Sequence, residues 1–176
     1  MGHLTDEDKQ FLHELREKNI LEEVEPNSLS LSHGAIVLTC ADGDQFYDYY
    51  SHISSITKGQ IAKSRVHTFA LNGGSILLSS AWPDKEEAVV LKRHINVAVD
   101  LKDIHTVILY AHAPCGAAAM CHLNIKTVID YLMEAKSIIK NLRTDIKVIC
   151  FMHVDWDGEK KRTYFISRDK WEKFDK

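Results

Sequence analysis

The sequence predicts an α/β protein with a mostly parallel central sheet that is flanked by helices. Short apolar runs rich in β-branched residues alternate along the chain with longer amphipathic segments, which is typical of strands alternating with helices. The apolar runs are continuous, as expected for central parallel strands that are buried on both faces. The 176 residues suit one domain, and no repeat, linker or low-complexity tract divides them. We therefore expect a single domain over residues 1–176.

Three helices are predicted from the spacing of apolar residues. The first covers residues 4–19, where Thr5 is placed to cap the helix and Leu12 and Leu15 recur on one face. The others cover residues 84–101, which begin with an aspartate in the capping position, and residues 124–143.

Six apolar runs are predicted to be strands. The first follows a connecting segment over residues 20–34, and the last two are joined by a turn at Asp157-Gly158. In chain order, the predicted strands cover residues 35–40, 65–71, 75–80, 106–112, 147–154 and 161–167.

The charge balance argues against nucleic acid and membranes as partners. The chain carries 22 basic and 25 acidic residues, a net charge of -3, which provides no basic surface for polyanions. No apolar run approaches the roughly 18 residues of a membrane span. The N-terminus is too polar for the apolar core of a signal peptide. We therefore expect a cytoplasmic protein.

Two short segments carry metal-binding residue types at the ends of predicted strands. Cys40 ends the first predicted strand, and His112 and Cys115 flank the end of a later one. Sites in α/β sheets form outside the carboxyl ends of the strands. Thiolates and imidazole are good zinc ligands, and three protein ligands leave a fourth position for water or substrate. We expect one Zn²⁺ per chain. The alternative is a metal-free fold in which Cys40 is a redox thiol.

Three other residues could contribute to such a site. Cys121 and His122 follow the cluster on a presumed helix, where packing is a better interpretation than a second metal site. Cys150 falls within a predicted strand and is expected to lie in the core.

The two segments together resemble the β-class carbonic anhydrases. The pattern of that family is Cys-x-Asp-x-Arg after the first core strand and His-x-x-Cys-Gly after a later one. The matching residues here are Cys40, Asp42, His112, Cys115 and Gly116. Asn72-Gly73-Gly74 also lies where the family has a segment with asparagine and glycine. The resemblance covers roughly residues 33–168.

The resemblance implies an activity and an assembly. It implies a zinc lyase that hydrates carbon dioxide reversibly through zinc-bound hydroxide, with bicarbonate as the product. Asp42 would be catalytic, since it would accept a hydrogen bond from that hydroxide and orient it. The resemblance also implies a homodimer or a larger assembly. In such an assembly the segment 4–19 would be a dimerisation arm.

One position departs from the family pattern. Asp44 occupies the position of the arginine that pairs with the aspartate, and it would repel Asp42 instead. Asp42 could then bind zinc as a fourth ligand, Arg65 or Lys63 could replace the arginine, or the pocket could take another substrate. Weak or absent hydration is one hypothesis. The alternatives are a zinc hydrolase of carbonyl sulfide or carbon disulfide, and a non-catalytic zinc protein used for binding or regulation.

The segment that follows Asp44 is rich in aromatic residues. It contains Phe46, Tyr47, Tyr49, Tyr50 and His52. Packing on the domain or on a subunit interface is the simpler interpretation. The alternative is a pocket wall in which His52 or a tyrosine aids proton transfer. His153, near the end of a predicted strand, could also face the pocket, although a role at the strand end is favoured.

Overall fold

The computed structural model of the chain describes residues 3–31, 33–57, 66–156 and 160–176. Its centre is a six-stranded sheet with the strand order β1-β6-β5-β4-β2-β3. The strands are β1 (Leu21–Glu22), β2 (Ala35–Cys40), β3 (Val66–Leu71), β4 (Thr106–Ala113), β5 (Lys147–Asp155) and β6 (Lys161–Ile166). The helices are α1 (Asp6–Glu17), α2 (Gly43–Ile56), α3 (Lys85–Lys102), α4 (Gly116–Met120), α5 (Ile125–Leu142) and α6 (Arg168–Phe174).

The sheet is mostly parallel, as the sequence predicts. The pairs β3–β2, β2–β4 and β4–β5 are parallel, whereas β6 pairs antiparallel with β5 and with β1. Since β2 and β4 are parallel neighbours, Cys40 and His112 reach the same edge of the sheet. The predicted relation between the two segments is therefore confirmed.

Both faces of the sheet are covered, which explains the continuous apolar runs of its central strands. On one face, residues of β2 such as Ile36 and Leu38 pack with buried side chains of α3 and α5. On the other face, Val37 packs with Tyr49 and Ile53 of α2. Side chains along a strand alternate between these two faces.

The predicted strand over residues 75–80 is wrong, because the chain forms a 3₁₀-helix over Gly74–Leu78 instead. Gly73 caps this helix and Gly74 begins it, with φ values of 93° and 58°, which glycine adopts without strain. A Cβ atom on Gly74 would lie 2.5 Å from the backbone nitrogen of Cys40. The apolar side chains of this run reflect its burial against the end of β2.

The predicted helices are confirmed, and their capping residues set their starts. Thr5, Asp84 and Asn124 accept backbone hydrogen bonds at the starts of α1, α3 and α5. The aromatic segment after Asp44 forms α2, and Asp42 is its N-cap. Cys121 and His122 follow the end of α4 and do not lie on it, because the helix ends at Met120.

Some predictions lie outside the described residues or stay untested. Lys63, Arg65 and the turn at Asp157-Gly158 fall outside the described ranges. Helix α1 buries Leu12 and Leu15 in the core of its own chain, and its role as a dimerisation arm stays a prediction. Within the described ranges, each helix is too short or too polar to span a membrane.

Candidate metal centre

Three metal-binding side chains meet at the carboxyl edge of the sheet. One ligand atom each from Cys40, His112 and Cys115 lies within 4.8 Å of the other two. Cys40 ends β2, His112 is the penultimate residue of β4, and Cys115 is the N-cap of α4. The three residues are only 5%, 3% and 8% exposed. The structure thus brings together the three residues that the sequence predicts as metal ligands.

The glycine segment Gly73-Gly74, which follows β3, packs against Cys40. The backbone N–H of Gly73 donates a hydrogen bond to Cys40 Sγ over 3.3 Å. The left-handed conformation of Gly73 and the close approach of Gly74 to β2 place this donor there. Hydrogen bonds of this kind support a thiolate that binds a metal.

The two cysteines share one hydrogen bond, which makes their acidities different. The bond from the Cys115 thiol, burial and the nearby His112 act together on Cys40, and the two attractive contacts outweigh burial and lower its pKa to about 4. The same bond, together with burial, raises the pKa of Cys115 above its usual range. In the metal-free molecule, Cys40 is therefore the thiolate, which is the form that binds zinc.

His112 shows that the cluster fits a metal ion. Its Nδ1 and Nε2 atoms are both buried, and neither has a hydrogen-bond partner among the described residues. A buried polar atom without a partner destabilises a protein by about 1–3 kcal/mol. A metal ion would accept the lone pair of one ring nitrogen. The donor set of two sulfurs and one imidazole is the type that zinc prefers.

Asp42 lies outside the group of three, since its carboxylate does not complete a group of four at the same 4.8 Å separation. Its Oδ1 atom accepts a hydrogen bond of 3.0 Å from the Asp44 N–H, which caps α2. The Asp44 side chain is exposed. Both roles of Asp42, as orienting base and as fourth ligand, stay predictions.

A lysine from β6 reaches the same helix terminus. Lys161 Nζ donates to the carbonyl oxygen of Asp44 over 2.7 Å and to Asp48 Oδ2 over 3.1 Å. It also lies 3.9 Å from Asp155 Oδ2. This cation therefore neutralises acidic groups on the first turns of α2 and at the end of β5.

His153 connects α2 to the sheet. Its Nε2 atom lies 3.0 Å from Gln45 Oε1, and its Nδ1 atom lies 2.8 Å from Thr163 Oγ1. Gln45 belongs to the first turn of α2. His153 thus has a packing and hydrogen-bonding role at the strand end, beneath the helix that Asp42 begins.

The aromatic helix α2 presents two different faces. Phe46, Tyr47 and Tyr50 are exposed, whereas Tyr49 is buried with its ring centroid 6.4 Å from that of His112. His52 Nδ1 lies 2.8 Å from the hydroxyl oxygen of Tyr110. The aromatic segment is therefore a helix that packs on the domain, and its inner face borders the cluster of Cys40, His112 and Cys115.

Two residues beside the cluster were not singled out from the sequence: Thr39 was not considered, and Tyr49 was named only as one of several aromatic residues. The hydroxyl oxygens of Thr39 and Tyr49 are buried, with no hydrogen-bond partner in the part of the chain that the structure describes. Tyr49 follows Gln45 by four residues, so helical spacing predicts only that the two lie on the same face of a helix. Nothing in the sequence distinguished this tyrosine from its aromatic neighbours.

The other cysteines do not join the cluster. Cys150 is fully buried in β5, and burial raises its pKa to about 12, so the prediction of a core residue is confirmed. Cys121 is half-buried at the end of α4. Among the described residues, Cys40, His112 and Cys115 form the one cluster of at least three close metal-binding side chains.

Sequence and structure comparisons give different results. A scan against protein-family models found no match, and a search of curated proteins found none either. Solved structures do match. A carbonic anhydrase from Streptococcus mutans is 10% identical, with a TM-score of 0.50 over 93% of this chain and 99% of the other. A β-carbonic anhydrase from Trichomonas vaginalis is 11% identical, with a TM-score of 0.50 over 94% and 99%. The chain therefore has the fold of the β-carbonic anhydrases.

Proposed function

We propose that the protein binds one Zn²⁺ through Cys40, His112 and Cys115 and catalyses the reversible hydration of carbon dioxide. The observation that carries this proposal is the buried His112 ring. It lacks hydrogen-bond partners among the described residues and lies beside two sulfur atoms. This cluster lies at the edge of the sheet where α/β folds place their sites.

Zinc, when bound, would supply a Lewis acid that makes hydroxide available from water near neutral pH. The chain contributes the charge that holds the ion. Cys40 is already a thiolate in the metal-free molecule, and Cys115 must lose its proton for the ion to bind. Metal affinity is therefore expected to increase with pH.

Asp42 is the proposed orienting group for the nucleophile. Its carboxylate is held by the Asp44 N–H, a neutral donor. A neutral donor binds a carboxylate more weakly than the paired, charged donors of an arginine. We therefore expect hydration that is measurable but slower than is typical of the family.

Stopped-flow measurement of carbon dioxide hydration by zinc-loaded protein tests the proposal. Cys115→Ser is expected to lose both the zinc and the rate, whereas the matched control Cys121→Ser is expected to keep both. Asp44→Arg is expected to increase the rate, since it would supply a charged partner for Asp42. Full zinc occupancy in wild type and in Asp44→Arg, with no hydration by either, would refute the proposed reaction.

The low exposure of the cluster favours a second candidate, a zinc site without catalysis. The most exposed of the three residues, Cys115, is 8% exposed, so a substrate would need a path that the chain nearly closes. Structural zinc sites have all four coordination positions filled by the protein, whereas catalytic sites keep one position open that a substrate must reach. Stoichiometric zinc without hydration would support this candidate.

We also propose a homodimer in the cytoplasm. Val90, Val97 and Leu101 are exposed on one stripe of α3. His94 of the same stripe contacts Phe69 of β3, a strand at the edge of the sheet, with ring centroids 6.2 Å apart. An apolar stripe beside a sheet edge is suited to contact a second copy of the chain. Sedimentation is expected to show a dimer, and Val97→Glu is expected to give a monomer.

A further inference from the structure

In the part of the chain that the structure describes, the buried polar side-chain atoms without a hydrogen-bond partner lie close together. In the described ranges, the buried side-chain nitrogen and oxygen atoms without a hydrogen-bond partner are Thr39 Oγ1, Tyr49 Oη and both ring nitrogens of His112. Thr39 lies two residues after Val37 in β2 and therefore on the same face of the sheet, which α2 covers. Tyr49 belongs to α2 itself. All of these atoms therefore lie between α2 and the ends of β2 and β4.

The Tyr49 ring is fixed within this region. Tyr49 is 2% exposed, and its ring centroid lies 5.0 Å from that of Tyr110 and 6.4 Å from that of His112. The ring thus lies beside the cluster. A phenol keeps its proton at neutral pH, so the Tyr49 hydroxyl is available as a hydrogen-bond donor.

A metal ion alone does not satisfy this hydroxyl. An ion on His112 would engage one ring nitrogen, but a neutral phenol that keeps its proton needs an acceptor. Native proteins rarely leave such a group unpaired, because the lost hydrogen bond destabilises the fold. The missing partner is therefore a group with hydrogen-bond acceptors. A small oxyanion is the class that would also be attracted to the cation.

We propose that the Tyr49 hydroxyl donates a hydrogen bond to a small oxyanion of the carbonate or carboxylate class bound beside Cys40, His112 and Cys115. This inference rests on the proposed metal site, and it identifies one group that selects the ligand there. Tyr49 is then a binding residue, and it favours anions that accept hydrogen bonds over anions of equal charge that accept them poorly.

Tyr110 provides a matched control for this role. Its side chain is also fully buried beneath α2, but its hydroxyl already pairs with His52 Nδ1 at 2.8 Å. Tyr49→Phe and Tyr110→Phe each remove one buried hydroxyl and keep the ring. The first change removes the proposed donor, whereas the second removes a hydroxyl with another partner.

Cobalt substitution tests the proposal without measuring activity. Co²⁺ would replace Zn²⁺, and its visible absorption would report the bound metal and its titration with bicarbonate or with iodide, a poor hydrogen-bond acceptor. Wild type and both variants are expected to bind one Co²⁺. Tyr49→Phe is expected to weaken bicarbonate binding about tenfold, as for the loss of one hydrogen bond to an anion, and to leave iodide binding unchanged. Tyr110→Phe is expected to change neither.

The possible failures are distinguishable. Equal bicarbonate affinity in wild type and Tyr49→Phe, with cobalt bound to both, would refute the role of Tyr49 but leave the metal site intact. An equal loss for bicarbonate and iodide would also refute it, because a distorted site weakens both anions. Absence of cobalt binding by folded wild-type protein would refute the metal site and this inference together.

Discussion

His112 and His153 lie opposite each other on the adjacent parallel strands β4 and β5, yet their hydrogen bonding differs. His153 pairs with Gln45 and Thr163, whereas neither ring nitrogen of His112 has a partner among the described residues. The two histidines are equally buried, at 3% and 2% exposure. Burial therefore does not explain the difference. The difference in hydrogen bonding is explained if His112 binds a metal ion and His153 anchors α2 through its contact with Gln45.

Metal binding is expected to stabilise the fold. A ligand that binds the folded state at a free concentration of about 1,000 times its dissociation constant adds about 4 kcal/mol to the free energy of unfolding. Zinc should therefore raise the midpoint of thermal unfolding, and a chelator should reverse the effect. Cys115→Ser should remove this response, whereas Cys121→Ser should retain it. A response to zinc in Cys115→Ser equal to that of wild type would contradict the assigned ligands.

Gly74 is expected to be essential to the fold around Cys40. In Gly74→Ala, the Cβ atom would lie 2.5 Å from the backbone of Cys40 and Thr39, in a residue with φ of 58°. We expect a loss of more than about 2 kcal/mol in the free energy of unfolding, measured by urea denaturation. Gly116→Ala is the control, because its Cβ atom would meet nothing within 4 Å. Equal stability of the two variants would contradict this account.

The buried tyrosine pair is expected to show opposite effects on the stability of the metal-free protein. Tyr110→Phe should lose about 1–2 kcal/mol, because it removes the hydrogen bond to His52 and leaves Nδ1 of that residue unpaired. Tyr49→Phe should leave the stability unchanged or increase it, because it removes a buried hydroxyl that has no partner among the described residues. Urea denaturation with a chelator present measures both changes. A larger loss in Tyr49→Phe would show that its hydroxyl has a partner within the protein.

Acid is expected to destabilise the protein through two buried histidines. Burial lowers the pKa values of His52 and His153 from 6.5 to about 4. The unfolded chain therefore binds protons more readily than the folded chain between pH 4 and 6.5. The contribution of the neutral histidines to the free energy of unfolding is complete above this window. It decreases as the pH falls, by up to about 1.4 kcal/mol per pH unit for each histidine.

The pH dependence can be assigned with one variant. His153→Gln should make the slope of the unfolding free energy against pH shallower, by up to the contribution of one bound proton. This change in slope is expected whatever the effect of the substitution on the stability at neutral pH. The measurement is urea denaturation of chelator-treated protein across this window, so that metal release does not contribute. An unchanged slope would show that His153 is not one of the groups responsible.

The elements with strong local signals could be predicted from the sequence. Strand β2 matches its predicted bounds because a β-branched run ends sharply at Cys40, and α5 begins where Asn124 caps it. The run after Gly74 could not be assigned correctly. Its apolar residues indicate burial but do not distinguish a strand from a 3₁₀-helix, and the positive φ values of Gly73 and Gly74 decide the outcome.

The candidate site also contains some residues that could be predicted from the sequence and others that could not. Cys40, His112 and Cys115 were predictable, because each lies at or next to a strand end and carries a metal-binding side chain. Tyr49 was not, because its role depends on how α2 lies across the sheet. The partners of His153 likewise depend on the pairing of β5 with β6 and on the position of Gln45. Such long-range contacts leave no local pattern in the chain.

X-ray absorption at the zinc edge tests the metal site most directly. The account predicts one zinc per chain, with two sulfur neighbours at about 2.3 Å and lighter neighbours at about 2.0–2.2 Å that include one imidazole. In Cys115→Ser, the zinc should be lost or should retain one sulfur neighbour. Absence of zinc from folded protein purified without chelator and then exposed to Zn²⁺, or a zinc shell without sulfur, would contradict the account.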